Sequence, residues 1–158
     1  MHALCCIEND IKDCLLQVTK SKVVCDQNYC WCPEDITKSQ CGINFFITGE
    51  TVLDSSRTIG GRYRCGLGTL DIQFFFDIEI YAIACEDARF KSKECLAKIN
   101  ELLCIHNTSL RIGFLQYEGF QTRSATMGEE QLSVMVASYS ARYLHDQCEP
   151  EKILISCK

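Results

Sequence analysis

The clearest pattern in the chain is an alternation of apolar and mostly polar positions between residues 70 and 82. A period of two predicts a β-strand with one apolar face and one mostly polar face. At about 3.3 Å per residue the strand spans on the order of 40 Å, which is longer than most strands. We therefore expect it to reach beyond the core of its own domain. The apolar positions are Leu70, Ile72, Phe74, Phe76, Ile78, Ile80 and Ala82, and the alternate ones are Asp71, Gln73, Phe75, Asp77, Glu79 and Tyr81.

Two other stretches repeat their apolar residues with the 3.6-residue period of an amphipathic helix. The first covers residues 4–18 and the second covers residues 88–104. Each predicts a helix that buries one apolar stripe and turns its charged residues to water. The stripes are Leu4, Ile7, Ile11, Cys14, Leu15 and Val18 in the first helix, and Ala88, Cys95, Leu96, Ile99, Leu102 and Leu103 in the second.

The remaining apolar runs are short and predict further strands. Two long polar segments, 50–68 and 119–130, are predicted as loops, the first mobile with arms that resemble strands, the second joining two strands as a long hairpin. The predicted strands are 23–32, which Pro33 ends, then 43–49, 110–117, 131–144 and a short last one at 153–155.

This order of elements predicts the fold class. Strands in runs interrupted by single helices favour an α+β fold, a mainly antiparallel sheet with two helices packed on one face, plus long extended loops and hairpins. We expect one domain over residues 1–158, with a core of about 4–144 and a C-terminal extension at 145–158.

Composition narrows the class of protein. The 158 residues are 47% hydrophobic and 23% charged, which is typical of a globular domain, and the net charge of −5 gives no general attraction to nucleic acid or to an anionic membrane. No apolar run approaches the roughly 18 residues that span a bilayer, and the N-terminus lacks the pattern of a signal peptide. We expect a protein that is made and kept in the cytosol, or in something assembled there, with no membrane partner.

Thirteen cysteines are the least usual feature of the composition. An odd count without a secretion signal argues against a full disulfide framework and favours reduced, mostly buried thiols. The spacing of Cys25, Cys30, Cys32 and Cys41 is not that of a familiar zinc site, so we predict no metal. A cysteine-rich metal-binding adaptor stays open as an alternative.

No residue pattern indicates catalysis. His2, His106 and His145 lie in no arrangement that would activate a thiol, and the glycine-rich stretch at residues 60–68 precedes a strand rather than the helix that a phosphate site requires. Asp77 and Glu79 are neighbours on the polar face of the long strand, where the surrounding residues indicate a solvated or subunit-facing surface. We predict that the protein is not an enzyme and has no cofactor.

Arginines stand out in the predicted mobile loop. Arg57, Arg62 and Arg64 lack the further basic residues that a nucleic-acid site usually has, so contacts with a protein partner are favoured. In an assembly they would meet the acidic strand face of a neighbouring copy. We predict Arg57, Arg62, Arg64, Asp77 and Glu79 as contact residues between subunits or with partners.

The layout resembles the tail terminator and tail-completion (head-tail joining) proteins of long-tailed bacteriophages, the lambda tail terminator type. The resemblance covers roughly residues 4–144. It is carried by the order of the elements: the opening helix, the long strand with FFFDIEIYA at 74–82, the helix 88–104, and a closing pair with GFQTR at 119–123 and VMVASYSARY at 134–143.

The resemblance implies a structural virion protein that closes into a hexameric ring, caps the finished tail tube and joins it to the head. The implied partners are the tail tube protein and the head-tail connector or neck proteins, with DNA passing through the lumen without specific binding. The implied location is the tail or neck of the virion, assembled in the host cytoplasm. Two alternatives remain: a neck or head-tail connector protein of the same virion, and a small cytosolic α+β ligand-binding domain.

Overall fold

A computed structural model of the chain describes residues 3–18, 23–26, 29, 31, 36, 41–56, 69–106, 110–127, 130–146 and 153–154. Its elements are a helix α1 (Ala3–Leu15), strands β1 (Val23–Val24), β2 (Gly42–Ser56) and β3 (Thr69–Ile83), a helix α2 (Ala88–His106), and strands β4 (Gly113–Met127), β5 (Glu130–Asp146) and β6 (Ile153–Leu154).

The strands form one sheet in the order β1-β2-β3-β5-β4, and β6 pairs with β5. All pairings are antiparallel except β1 with β2, which is parallel. The register places Phe76 opposite Tyr139 and Asp77 opposite Ser138. The predicted α+β class with a mainly antiparallel sheet is therefore confirmed.

Both helices pack on the same face of this sheet. The buried stripe of α1 and the buried stripe of α2 join the even-numbered side chains of β3 and the odd-numbered ones of β5 in one core. Both predicted helices are thus confirmed, with their apolar stripes inward. The fully buried side chains of this core include Ile7, Ile11, Phe45, Phe74, Phe76, Ile78, Ile99 and Tyr143.

The predicted boundary between strand and loop is wrong in β4, which continues through residues 119–127, where a loop was expected. β2 continues through residues 50–56, where the predicted loop was expected to have an arm that resembles a strand. The polar residues there occupy strands because pairing with β3 and β5 satisfies their backbone groups. Residues 57–68 lie outside the described residues.

The predicted strand 23–32 is much shorter, and a side chain explains where β1 ends. Asn44 accepts a hydrogen bond from the backbone N–H of Asp26 (3.3 Å) and donates one to the carbonyl of Asp26 (3.0 Å). These bonds take the place of ladder bonds after Val24, so the backbone leaves the sheet. At the other end of the chain, β6 confirms the predicted last strand by pairing Ile153 with His145.

No helix within the described ranges is both long enough and apolar enough to cross a membrane.

Candidate functional site

The sheet face opposite the helices, called the open face below, carries the odd-numbered residues of β3 and the even-numbered residues of β5. One end of it is covered by the chain itself. Trp31 packs with its ring centre 5.2 Å from that of Tyr81, and Tyr29 meets Trp31 edge-on at 5.3 Å. Gly42 permits this contact, because a Cβ there would lie 2.6 Å from the Trp31 ring. This end is therefore a second, smaller core rather than a free surface.

Beside this small core lies a buried carboxylate. Glu79 is 5% exposed, and the side-chain amide of Asn44 donates a hydrogen bond to its Oε1 (3.1 Å). The Arg123 guanidinium donates to Oε2 of Glu79 and to the hydroxyl of Tyr81 (3.2 Å). Since Asn44 also holds Asp26, the cluster connects β2, β3 and β4 with the end of β1.

The charges of this cluster stabilise one another. The hydrogen bond to Glu79 raises the pKa of Arg123, which therefore stays protonated. Burial raises the pKa of Tyr81, and the negative charge of Glu79 raises it further. Both oxygens of Glu79 accept hydrogen bonds from side chains of its own chain. The arrangement is suited to holding strands together rather than to transferring protons.

The uncovered part of the open face is a ladder of paired polar side chains. Ser138 donates to Asp77 (2.8 Å), Ser140 donates to Glu118 (2.8 Å), and Arg142 is bonded to Asp71. The guanidinium carbon of Arg142 also lies 4.6 Å from the ring centre of Phe114. The ladder leaves a partly exposed polar surface whose charges are largely balanced within the chain.

The structure brings two of the five predicted contact residues to this face. Asp77 is half-buried and accepts a hydrogen bond from the hydroxyl of Ser138, while Glu79 lies in the cluster with Asn44 and Arg123. The open face was expected to be solvated or subunit-facing throughout, and at Glu79 the solvated interpretation is wrong, because its carboxylate is 5% exposed and is bonded to Asn44 and Arg123. Arg57, Arg62 and Arg64 lie outside the described residues. The contact role of all five stays a prediction.

Two edges of the sheet have no pairing partner over most of their length among the described strands. β4 is its last strand, and none of the other described strands pairs with its outer edge. At the opposite side, the register pairs β1 with β2 only at Ile43 and Asn44, so the outer edge of β2 from Phe45 to Ser56 has no partner among the residues that the structure covers. An edge of this length presents a row of backbone donors and acceptors to another chain.

Apolar side chains accompany both edges. Tyr117 and Phe120 are exposed on β4, and Val52 and Leu53 are exposed on β2. Register shifts interrupt β4 on either side of Tyr117, and Gly119 follows with a φ of +114°, a conformation that favours glycine. Beyond Gly119 the strand pairs regularly with β5 up to Met127. The second half of β4 is therefore the part of this edge best shaped for strand pairing.

The four cysteines at 25, 30, 32 and 41, for which no metal was predicted, are only partly described. Cys25 is half-buried and Cys41 is buried, while Cys30 and Cys32 fall outside the described residues. In the part of the chain that is described, no three His, Cys, Asp or Glu side chains come together as metal ligands would.

Sequence reasoning missed Arg123, Tyr81 and Asn44 as the partners of Glu79. Arg123 was expected in a loop, because residues 119–130 are mostly polar. An alternation does exist there, since Gln121, Arg123 and Ala125 fall on one face of β4 and Phe120 falls on the other. This weak period of two was the signal that could have indicated a strand carrying Arg123 to Glu79.

A scan of protein-family models and a search of curated proteins found no match to this chain.

Proposed function

We propose that the chain is a structural virion protein, a ring-forming tail terminator that caps the tail tube of a long-tailed bacteriophage and joins it to the head. The observation that carries this proposal is the pair of long open edges, on β2 and β4, at opposite sides of one sheet. The layout of the elements along the chain, which resembles that family, supports it further.

The directions of the strands suit a ring. β2, β3, β5 and β4 are each antiparallel to the next, so β2 and β4 run in opposite directions. Copies in a ring are related by rotation about one axis, and their contacts are heterologous, one patch meeting a different patch. The β4 edge of one copy then meets the β2 edge of the next as an antiparallel pair, which continues the pattern of the sheet.

The lengths of β2 and β4 also support strand pairing between copies. β2 and β4 have 15 residues each, which corresponds to about 50 Å at roughly 3.3 Å per residue. The longer helix, α2, has 19 residues, which corresponds to about 28 Å at 1.5 Å per residue. Residues 48–53 of β2 and 120–124 of β4 are exposed, so these parts of the two edge strands are available to neighbouring copies.

Side chains would add to this contact. Phe120 and Tyr117 on β4 can cover apolar surface of the next copy, where Val52 and Leu53 lie on β2. In the proposed ring, Arg57, Arg62 and Arg64 reach the acidic residues near Asp77 of a neighbour. The lumen passes DNA without specific binding, in keeping with the net charge of −5.

The solution mass of the purified protein tests ring formation. Light scattering coupled to size-exclusion chromatography is expected to give six times the 18.0 kDa of the chain, and electron microscopy is expected to show rings. A dimer at all concentrations would indicate symmetric β4–β4 pairing instead of a ring. A monomer at all concentrations would contradict the proposal and favour the ligand-binding alternative.

A tube-polymerisation assay tests the terminator role itself. Tail tube protein of the same phage is allowed to polymerise, with and without the purified ring, and tube lengths are measured. Capping is expected to stop growth. Phe120→Lys places a charge at the β4 edge and should abolish both ring and capping, whereas Phe90→Lys, at a 73% exposed position on α2, should preserve both. A ring that binds connector but leaves tube growth unchanged would favour the neck protein.

A further inference from the structure

Two cysteine side chains meet in the core between the sheet and α2. Cys41 directly precedes β2 and is 6% exposed, and Cys95 lies in α2 and is 9% exposed. Their thiols are hydrogen-bonded to each other. The contact joins residues 54 positions apart in the chain, and both belong to the helix-covered core.

The two thiols of this pair differ in acidity. The hydrogen bond from Cys95, aided by the positive charge of Lys91, lowers the pKa of Cys41, although burial opposes the effect. The pKa of Cys95 is raised by the same hydrogen bond and by burial. Cys41 is thus the more acidic thiol of the pair.

Two other described cysteines, the buried Cys14 and the half-buried Cys25, lack this arrangement. Burial raises the pKa of Cys14, and it also raises that of Cys25. Among the described cysteines, the paired Cys41 is the one whose pKa is lowered. Cys5, Cys85 and Cys104 are exposed and serve as internal references for non-selective oxidation.

We propose that Cys41 and Cys95 form a reversible disulfide when the protein meets hydrogen peroxide, tying the start of β2 to α2. The Cys41 thiolate attacks one peroxide oxygen, the O–O bond breaks, and hydroxide leaves, which gives a sulfenic acid at Cys41. Cys95 sulfur then attacks the Cys41 sulfur, an S–S bond forms, and the hydroxyl leaves as water with the Cys95 proton. Two thiols lose two electrons in total, and one peroxide becomes two waters.

The size of the oxidant fits the burial of the pair. Hydrogen peroxide is scarcely larger than water, so small fluctuations of the core admit it, whereas a bulky disulfide reagent requires wider opening. The resulting bond would close a loop over residues 41–95 and connect the sheet to the helix layer, which raises the resistance of the fold to unfolding. This inference is independent of the proposed ring, because both sulfurs lie inside one copy.

Peptide mapping of the folded, fully reduced protein tests the proposal. After treatment with about one equivalent of peroxide, free thiols are alkylated and the protein is digested without reductant. A peptide pair linked through Cys41 and Cys95 is expected, at a mass about 2 Da below the sum of its reduced parts because two hydrogens are lost. Dithiothreitol is expected to restore both thiols. Cys104→Ser should leave the link unchanged.

A second measurement follows the first step separately. In Cys95→Ser, Cys41 is expected to stay as a sulfenic acid that a sulfenic-acid-specific reagent labels. Should that variant fail to fold, the wild-type peptide map alone decides. The proposal is overturned if Cys41 and Cys95 stay reduced while Cys5, Cys85 and Cys104 become oxidised, or if Cys41 links to a different cysteine.

Discussion

The two faces of the sheet are built from alternate residues of the same strands, yet they are held by different interactions. On the helix-covered face, Phe76 stacks on Tyr139 with ring centres 5.0 Å apart and meets Phe45 edge-on at 5.5 Å. On the open face, Asp77, the next residue of β3, accepts a hydrogen bond from the hydroxyl of Ser138. Glu79, two residues further, is bonded to Arg123. The period of two along β3 thus separates an apolar core from a polar network.

The difference assigns stability to one face and specificity to the other. Burying a large apolar side chain contributes roughly 1.5–3 kcal/mol, whereas a partly exposed ion pair contributes about 0–1 kcal/mol. The helix-covered face therefore supplies most of the free energy of folding. The hydrogen bonds of the open face hold the register of the strands.

The largest expected effect on stability comes from placing a charge on the helix-covered face. Phe76→Asp buries a carboxylate among aromatic rings, at a cost comparable to the roughly 5–15 kcal/mol that stabilises a domain. We expect no cooperative thermal transition in circular dichroism. The matched variant Phe75→Asp places the same charge on the open face and should lose only about 1–2 kcal/mol. Equal loss in both variants would contradict the assignment of the faces.

The second largest loss of stability is expected at alkaline pH, through the tyrosines of the helix-covered face. Burial raises the pKa of Tyr139 and that of Tyr143, while an unfolded tyrosine loses its proton near pH 10. Above about pH 10 the unfolded state binds fewer protons than the folded state, so the free energy of unfolding falls by about 1.4 kcal/mol per pH unit for each such tyrosine. Below that pH both states keep the proton, and these tyrosines give no pH dependence. Urea midpoints measured between about pH 8 and 11 should fall less steeply in Tyr143→Phe. An unchanged slope would show that Tyr143 ionises equally in both states.

A smaller loss is expected when the buried cluster of the open face loses its cation. Arg123→Met leaves Glu79 with Asn44 as its remaining described partner. Since the Arg123 side chain is 50% exposed, we expect a loss of about 1–3 kcal/mol, below that for a fully buried pair. The double variant Glu79→Gln with Arg123→Met should recover part of it, as measured by urea unfolding. No recovery would mean that Arg123 acts by packing alone.

The smallest effect should come from the polar ladder. Asp71→Asn removes the negative charge that faces Arg142, at a position where solvent reaches both side chains. We expect the urea midpoint to change less than in any variant above, and the difference from wild type to shrink as salt is added. A large effect that does not change with salt concentration would indicate that this pair is not screened by solvent.

The helices and the central strand were predictable because each is a single element with a strong period. The stripes of α1 and α2 and the alternation of β3 depend on burial against one face, which the order of apolar residues records directly. β6 was predicted from a short apolar run that begins at Ile153. Even the placement of both helices on one face follows from their positions between strand runs.

The predictions that went wrong involve partners distant in the chain. The second half of β4 is polar at Gln121, Thr122 and Arg123, and it forms a strand because β5 satisfies its backbone. Trp31, 48 residues before Glu79, packs on the neighbouring Tyr81, and the carboxylate of Glu79 is bonded to Asn44 of β2 and Arg123 of β4. The weak alternation around Arg123 could indicate a strand, but it does not indicate which distant residue that strand places beside Arg123, so the pairing with Glu79 could not be predicted from either segment alone.

Backbone hydrogen exchange measured at several protein concentrations tests the central claim, the pairing of β2 and β4 edges between copies, most directly. On assembly, amides of β2 after Asn44 and of β4 after Gly119 should become protected together, while amides on the outer surface of α2 stay unchanged. Fast exchange at both edges at every concentration would contradict strand pairing between copies.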